Sequence, residues 1–566
     1  MNDFSWRTRQ ANLTRLAQEQ FDLLIIGGGI TGAGIALDAA ARGLKTALIE
    51  KRDFAAGTSS RSTKLVHGGL RYLEHFKFAL VREALRERAV LHRLAPHLVE
   101  PAPFVVPIYQ QRKRNYDHPL KMRAGMFLYD LLAGRHNFAQ HRRLSVEEAL
   151  ALAPQLDPNG LQGALLYYDA QTDDARLVVE LIKTAHARGA CIVNYVQLTS
   201  FTRDAQEQIN GAQLQDVLTS HQFNLTSHQF NVQARQCLNA TGVWTDELRA
   251  LTTDNIGNGK RVRPSKGVHL TVSAARLSVH AAWLIPALVG HRFYFVIPWQ
   301  GRVNIGTTDT DYDEDKDAPG VIETEAAEIL HAINAYFPAA RLEPADVITA
   351  WAGLRPLISN GANKSTTAVS REEEIFESSD GLLSIAGGKL TTYRLMAERI
   401  VDRAVTRLRQ HNVKAAPIET ERIAIGGGNA THDELVELAG RLAQQERLPR
   451  AVTRHLVRSY GTEALRIAEL MRADESLRAP LIADDEALPH VAAEIVYAVR
   501  YEMALTLADA LTRRTRLAVL AEMKSDEVLI RCADLMAVEL GWNVTERIRQ
   551  IEQMRLELQR EYAVVN

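Results

Sequence analysis

The apolar run at 23–26 ends in three glycines, Gly27, Gly28 and Gly29, and is followed by a small-residue segment at 33–41. An unbroken apolar run of this length predicts a strand buried on both faces of a parallel sheet. The small residues after it predict a helix lying close on that sheet. Residues 45–50 predict the second parallel strand, and 177–188 followed by 192–195 predict a further helix with its return strand. Residues 262–272, 292–298 and 303–307 alternate or cluster as antiparallel strands do, so a β-rich unit is expected there. Residues 351–356 and 383–408 go back to the order of strand, glycines and helix. Beyond about 430 the pattern is helical and highly charged, which marks a separate α domain. Residues 1–20 predict a short helix with Trp6, Leu13 and Leu16 apolar and Arg7, Arg9 and Arg15 basic. Packing on its own protein is the expectation, ahead of a basic interfacial helix.

At 566 residues the chain exceeds one core, and 46% hydrophobic with 24% charged residues is the composition of a soluble globular enzyme. A net charge of −1 excludes a global field that would recruit nucleic acid, so any anion site is local. Cys191, Cys237 and Cys532 lie far apart and form no C-x-x-C, which argues against a disulfide framework or a zinc site and fits a reducing compartment. No apolar run is long enough to span a bilayer and no secretory h-region is present, so any membrane contact is expected to be peripheral. A heptad is duplicated at 219–225 and 226–232, which predicts a surface hairpin or loop tolerant of insertion. His221 and His228 lack acidic company, and no metal is expected.

Gly27, Gly29 and Gly32 supply G-x-G-x-x-G between the first strand and its helix. The first makes the tight turn, the second admits a pyrophosphate, and the third lets helix and strand pack closely. The helix N-terminus offers N–H groups and a positive dipole end to the phosphate. Glu50, at the end of the second strand, stands where a carboxylate would accept hydrogen bonds from a ribose. Strand, glycines, helix, strand and acid in this order predict dinucleotide binding, without separating FAD from NAD.

The stretch from Ile26 to Gly43 and that from Gly387 to Ala397 resemble two signatures of the FAD-dependent glycerol-3-phosphate dehydrogenase family. Thr58 to Glu74, Asp173 to Arg176, Ala240 to Gly242, Gly306 to Asp309, Gly353 to Pro356 and Glu502 to Thr515 are similar to the family's internal motifs, and the resemblance covers nearly the whole chain. It implies an α/β fold in which a Rossmann-like FAD-binding domain is interleaved with a β-rich substrate domain, plus an all-helical C-terminal domain. The expected division is a helical extension at 1–20; an FAD-binding domain at 21–100, 160–250 and 351–412; a substrate-binding domain at 101–159 and 251–350; and a helical domain at 413–566. The implied activity is oxidation of sn-glycerol 3-phosphate to dihydroxyacetone phosphate, with electrons passing to membrane quinone. A glycerol-3-phosphate oxidase reducing O₂ is the alternative. FAD is expected to be non-covalent, the assembly a homodimer without nucleic acid, and the location cytoplasmic, peripheral to the inner face of the cell membrane. An amino-acid oxidase would need a carboxylate clamp, and a non-catalytic sensor would not need so polar a pocket.

The resemblance further implies that Arg71, Tyr72, His269, Arg355, Arg371 and Lys389 surround the substrate. Arginine and lysine suit a phosphate, and guanidinium can bind it bidentately. Arg355 and Lys389 are expected to hold substrate oxygens and stabilise reduced flavin. His269 is the general-base candidate, weighed against a strand histidine that only hydrogen-bonds substrate. Asp309 either binds substrate or caps its turn. The cofactor would lie against Gly27, Gly28, Gly29, Ile30, Thr31, Gly32, Glu50 and Lys51, then Thr58, Ser59, Ser60, Lys64, Leu65, His67, Gly68 and Gly69. Ala240, Thr241 and Gly242, with Gly388, Lys389, Leu390 and Thr391, would complete its contacts.

Overall fold

The computed structural model describes residues 3–110, 119–218, 229–254, 259–288, 292–359, 372–483, 485–523 and 526–565. Arg371 and residues 219–228 of the duplicated heptad therefore lie outside the described residues. The apolar run forms the strand Gln20–Ile26, flanked in parallel by Thr46–Ile49 and Gln229–Asn239. Cys191–Val193 and Leu383–Gly387 extend the parallel sheet on either side. The antiparallel strand Glu373–Glu377 and the hairpin of Val196–Arg203 with Ile209–Asp216 complete eight strands. The helix Ile30–Ala41 packs between the helices Asp174–Ala187 and Tyr393–Leu408. A Cβ at Gly34 would fall 2.7 Å from the Tyr393 ring, so a glycine is what lets two of these helices approach.

The β-rich unit is a second sheet of ten strands. Its long pairs are Val262–Ser273 with Val347–Ile358, and Val99–Tyr109 with Leu161–Thr172. The expected boundaries at 160 and 351 do not coincide with the change of sheet. Leu161–Thr172, Val347–Ile358 and the short Leu65–Val66 all pair in the second sheet. Alternation reveals a strand and its buried face but not which sheet it joins.

From His432 onward the chain is helical, apart from Val564–Val565, which pairs with Val321–Ile322. Buried ion pairs clamp this region to the rest: Asp53 with Arg513 and Arg514, Arg176 with Glu502, Arg516 with Asp174, and Arg61 with Glu561. The N-terminal helix Trp6–Gln18 packs on its own protein, as expected. Arg9 is buried and bonds both carboxylate oxygens of Asp216, and Asn12 donates to the Ile192 carbonyl. Among the described residues no helix is long and apolar enough to cross a membrane.

Candidate functional site

The glycine turn is set by contacts that forbid side chains. Gly27 has φ +113°, and a Cβ at Gly32 would lie 1.9 Å from the Gly27 carbonyl oxygen. Gly29 caps the helix Ile30–Ala41 without a side-chain hydrogen bond, and Thr31 stands on its first turn. Ser59 Oγ accepts from the Ile30 N–H at 2.9 Å, bringing the Thr58–Ser60 turn against the glycines. Glu50 accepts from the Gly28 N–H at 2.7 Å and the Arg52 N–H at 2.8 Å, and burial raises its carboxyl above the usual range. Lys51 pairs with Asp317 at 2.7 Å and lies over the Trp244 ring. Thr241 donates to Asn239 Oδ1 at the end of its strand, between Ala240 and Gly242. These residues fit a dinucleotide: a turn that only glycine can make, a helix start whose N-cap is glycine and a carboxylate at the neighbouring strand end.

Beyond the Thr58–Ser60 turn lies a cavity of about 760 Å³, whose lining includes Thr63, Leu65, His67, Gly69, Arg71, Tyr72, Asp309 and Arg355. Arg355 Nη2 donates to Thr307 Oγ1 at 2.9 Å, and its Nη1 is 3.5 Å from Asp309 Oδ1. Asp309 also accepts from the Ser265 hydroxyl, so its carboxylate holds Arg355 in place at the wall. Lys389 Nζ sits 3.8 Å from the centroid of the Tyr72 ring, which joins Lys389 to the Arg71 and Tyr72 side of the site. Thr391 Oγ1 accepts from the His67 N–H, which ties the Gly388 and Leu390 turn to the His67–Gly69 segment.

Three expected residues, Lys389, His269 and Lys64, are not in the cavity lining. His269 Nε2 is 3.1 Å from Thr63 Oγ1, and Thr63 does line the cavity. The imidazole stacks on Trp351 at 4.1 Å, its partner across the strand pair. Burial first, then Arg355 and Lys64, hold His269 well below the usual histidine range, so it is neutral. Lys64 turns its ammonium to Asp174 at 2.9 Å and to the Ser60 carbonyl, between Trp299 and Trp351. Burial and Arg516 push it down to about 8. Its side chain is therefore engaged in the protein's own network, and only its backbone remains for a cofactor.

The sequence did not single out Thr63, Tyr129 or Asp169. Asp169 lines the cavity, pairs with Arg88 at 2.7 Å and accepts from the Tyr129 hydroxyl at 2.7 Å, while the Gly68 N–H donates to that hydroxyl at 3.0 Å. Asp169 finds Tyr129 forty residues away, and nothing in the sequence around Tyr129 marks it as a partner.

A family model described as FAD dependent oxidoreductase matches residues 22–394, and one described as the C-terminal domain of alpha-glycerophosphate oxidase matches residues 418–547. The chain is 37% identical over 561 residues to the mitochondrial glycerol-3-phosphate dehydrogenase of Rattus norvegicus, spanning 96% of this chain and 74% of that one. It is 38% identical over 508 residues to the aerobic glycerol-3-phosphate dehydrogenase of Staphylococcus aureus, spanning 88% and 87%. The crystal structure of glycerol-3-phosphate dehydrogenase from Bacillus halodurans complexed with FAD matches with a TM-score of 0.79 at 33% identity, covering 99% of this chain and 98% of that one.

Proposed function

The chain belongs to the FAD-dependent glycerol-3-phosphate dehydrogenase family, and from that premise we propose how its own residues serve the reaction. The protein is an FAD-dependent enzyme that oxidises sn-glycerol 3-phosphate to dihydroxyacetone phosphate. When bound, FAD supplies the acceptor for the hydride that leaves the substrate carbon. Gly27 to Gly32 with Glu50, Thr58 to Ser60, Ala240 to Gly242 and Gly388 to Thr391 hold it.

The observation that carries the site assignment is one cavity walled by Arg71, Tyr72, His67 and Arg355. It is far larger than a three-carbon phosphate ester fills, which leaves room for a ring system beside the substrate. Arg71 and Arg355 bind the phosphate and hydroxyl oxygens, Lys389 and Tyr72 complete that side, and Arg371 remains proposed from the family motif alone. The substrate hydroxyl gives its proton to Thr63 Oγ1, which passes its own proton to His269 Nε2. The 3.1 Å contact between those atoms supports the relay, and a neutral imidazole has the lone pair that it needs. Anaerobic bleaching of the yellow protein tests this reading. Glycerol 3-phosphate should bleach rapidly and glycerol far more weakly, because remote phosphate contacts orient the reacting carbon. Equal bleaching by the two would remove the phosphate site.

Electrons pass on to a membrane quinone; the oxidase alternative is not favoured, since the relatives matched over most of the chain are dehydrogenases. Support for a peripheral contact with the inner face of the cell membrane comes from the cavity mouth. Phe76 and Phe127, 79% and 64% exposed, stand with Phe78, Leu120 and Leu131 on two adjacent segments there, interspersed with Lys77, Lys121 and Arg123. The N-terminal helix, the first candidate from sequence, is pinned through Arg9, and the last helix, Val544–Glu561, buries Ile551 and Met554. Phe127→Ser with Leu131→Ser should abolish sedimentation with anionic liposomes and keep substrate bleaching; unchanged sedimentation would reject this surface. The proposed assembly is a homodimer, which analytical sedimentation tests.

A further inference from the structure

Away from the cavity, the helical C-terminal region brings two imidazoles and a carboxylate together. His455 stands on the helix Arg450–Tyr460, while His490 and Glu494 flank the start of the helix Ala493–Tyr501. One ligand atom from each of the three residues lies within 4.8 Å of the other two. His490 and Glu494 are buried, and His455 keeps 11% of its side chain exposed, which leaves a route of entry.

The hydrogen bonds around this group leave one atom over. Glu494 Oε1 accepts from the Val491 N–H at 2.8 Å, and its Oε2 meets His455 Nε2 and the Tyr460 hydroxyl, each at 2.9 Å. His490 Nε2 lies 3.0 Å from the Thr515 carbonyl and so carries the proton it donates there. His490 Nδ1 is buried and makes no hydrogen bond of good geometry among the described residues, with the Leu488 carbonyl as its backbone neighbour. A buried acceptor with no donor is unfavourable. An imidazole with one nitrogen bare and the other donating to a backbone carbonyl is the form in which histidine ligates a metal.

We propose that His455, His490 and Glu494 bind one zinc ion, with Tyr460 or a water molecule in the fourth position. Two histidines, a carboxylate and an open position are a known zinc donor set, and the ligand atoms would draw in to about 2.0–2.2 Å from the ion. The site is structural, since it lies apart from the cavity lining. Through the Thr515 carbonyl it braces the segment in which Arg514 reaches Asp53 and Arg516 reaches Asp174. The metal therefore stiffens the clamp between the helical region and the FAD-binding region.

The test uses the full-length protein, stripped with a chelator, incubated with Zn²⁺, gel-filtered and assayed for metal by mass spectrometry. About one zinc per chain should be retained, and zinc should raise the thermal midpoint. His490→Ala and Glu494→Gln should each weaken binding by more than the roughly 10–100-fold that loss of an outer-shell partner costs. His432→Ala, at the exposed start of the helix His432–Gln445, should leave the stoichiometry unchanged. If the buried variants fail to fold, His455→Gln, at the least buried of the three positions, should lose both the zinc and the thermal shift. Background zinc in the wild type, or full zinc and an unchanged thermal shift in His455→Gln, overturns the site.

Discussion

Replacing Asp53 by asparagine tests the clamp between the cofactor-binding and helical regions. Asp53 is fully buried and accepts from Arg513 Nε at 2.7 Å, Arg514 Nη1 at 2.7 Å, Arg514 Nη2 at 2.9 Å and Asn194 Nδ2 at 3.1 Å. Although burial opposes the charge, Arg514 and Arg513 outweigh it and lower the Asp53 carboxyl from 3.8 to about 2. A folded pKa below the unfolded one is stability present above pH 3.8 and lost as pH falls through about 2, so it is complete at pH 7. At 1.36 kcal/mol per unit, the shift corresponds to about 2 kcal/mol. Asparagine keeps the shape but leaves two guanidiniums without their shared anion, and breaking a buried pair from one side costs about 3–5 kcal/mol. The two routes bracket a loss of about 2–5 kcal/mol, against a total stability of about 5–15 kcal/mol. Urea unfolding at pH 7, followed by helix signal and by flavin fluorescence, measures it. Arg514→Gln should cost a similar amount, and the double variant should fall short of the sum by about 0.5–3 kcal/mol. A loss below about 0.5 kcal/mol in Asp53→Asn, or strict additivity, would refute the clamp.

Gly29→Val should purify colourless though folded, since even a Cβ there would lie 3.0 Å from Ser59 Oγ and face the approaching pyrophosphate; normal flavin occupancy would reject the cradle. Arg355→Ala and Lys389→Ala should each lower kcat/KM by about 2–4 kcal/mol, as loss of a charged donor from a desolvated site does, and near-wild-type kinetics would make that residue structural. His97, pushed down to about 3 by burial and then by Arg176 and Lys183, excludes a proton that the unfolded chain takes up below pH 6.5. Its contribution is present above that pH and lost below it, by about 1.4 kcal/mol at pH 5.5. His97→Gln should flatten the fall in unfolding free energy between pH 7.5 and 5.5 by that amount, and an unchanged fall would reject the assignment.

What was legible in the sequence was local. Gly27, Gly29, Gly32 and Glu50 lie within one strand–helix–strand unit; Gly32 is fixed by the Gly27 carbonyl and Glu50 by the Gly28 N–H inside it, while Ala240 and Ser59 close on Gly27 and Gly29 from outside. Partnerships made by distant strands were not legible. His269 faces Trp351 only because Val262–Ser273 pairs with Val347–Ile358, and neither strand's alternation states its partner or register. Charged motifs misled for a related reason. Asp173 to Arg176 and Glu502 to Thr515 read as separate motifs. In the folded chain they partner each other through Arg176 with Glu502, and Arg516, the residue just after the second motif, reaches Asp173 and Asp174. A charge run looks the same in sequence whether solvent or an opposite charge receives it. Lys64 shows this most plainly, since its ammonium faces Asp174 and two indoles.

The cations of the site also bear on the strength of the proposed base. After burial, Arg355 is the largest influence holding His269 neutral, followed by Lys64. Lys64 is paired with Asp174 away from the cavity, and Arg355, held by Asp309, stands at the cavity wall. A phosphate dianion bound beside Arg355 would offset its field at His269 and raise the imidazole pKa toward the working range, because an opposite charge nearby favours the protonated form. Substrate binding would then strengthen the base that removes the substrate's own proton. Glycerol lacks the dianion, so it would lose both orientation and base strength. Supplying the two parts separately isolates the second effect: inorganic phosphate added with glycerol should accelerate anaerobic bleaching relative to glycerol alone. Arg355→Gln, which removes the suppressing cation, should show little further acceleration by phosphate. If phosphate only inhibits the wild-type enzyme, or accelerates the variant equally, the base is not under the control of Arg355.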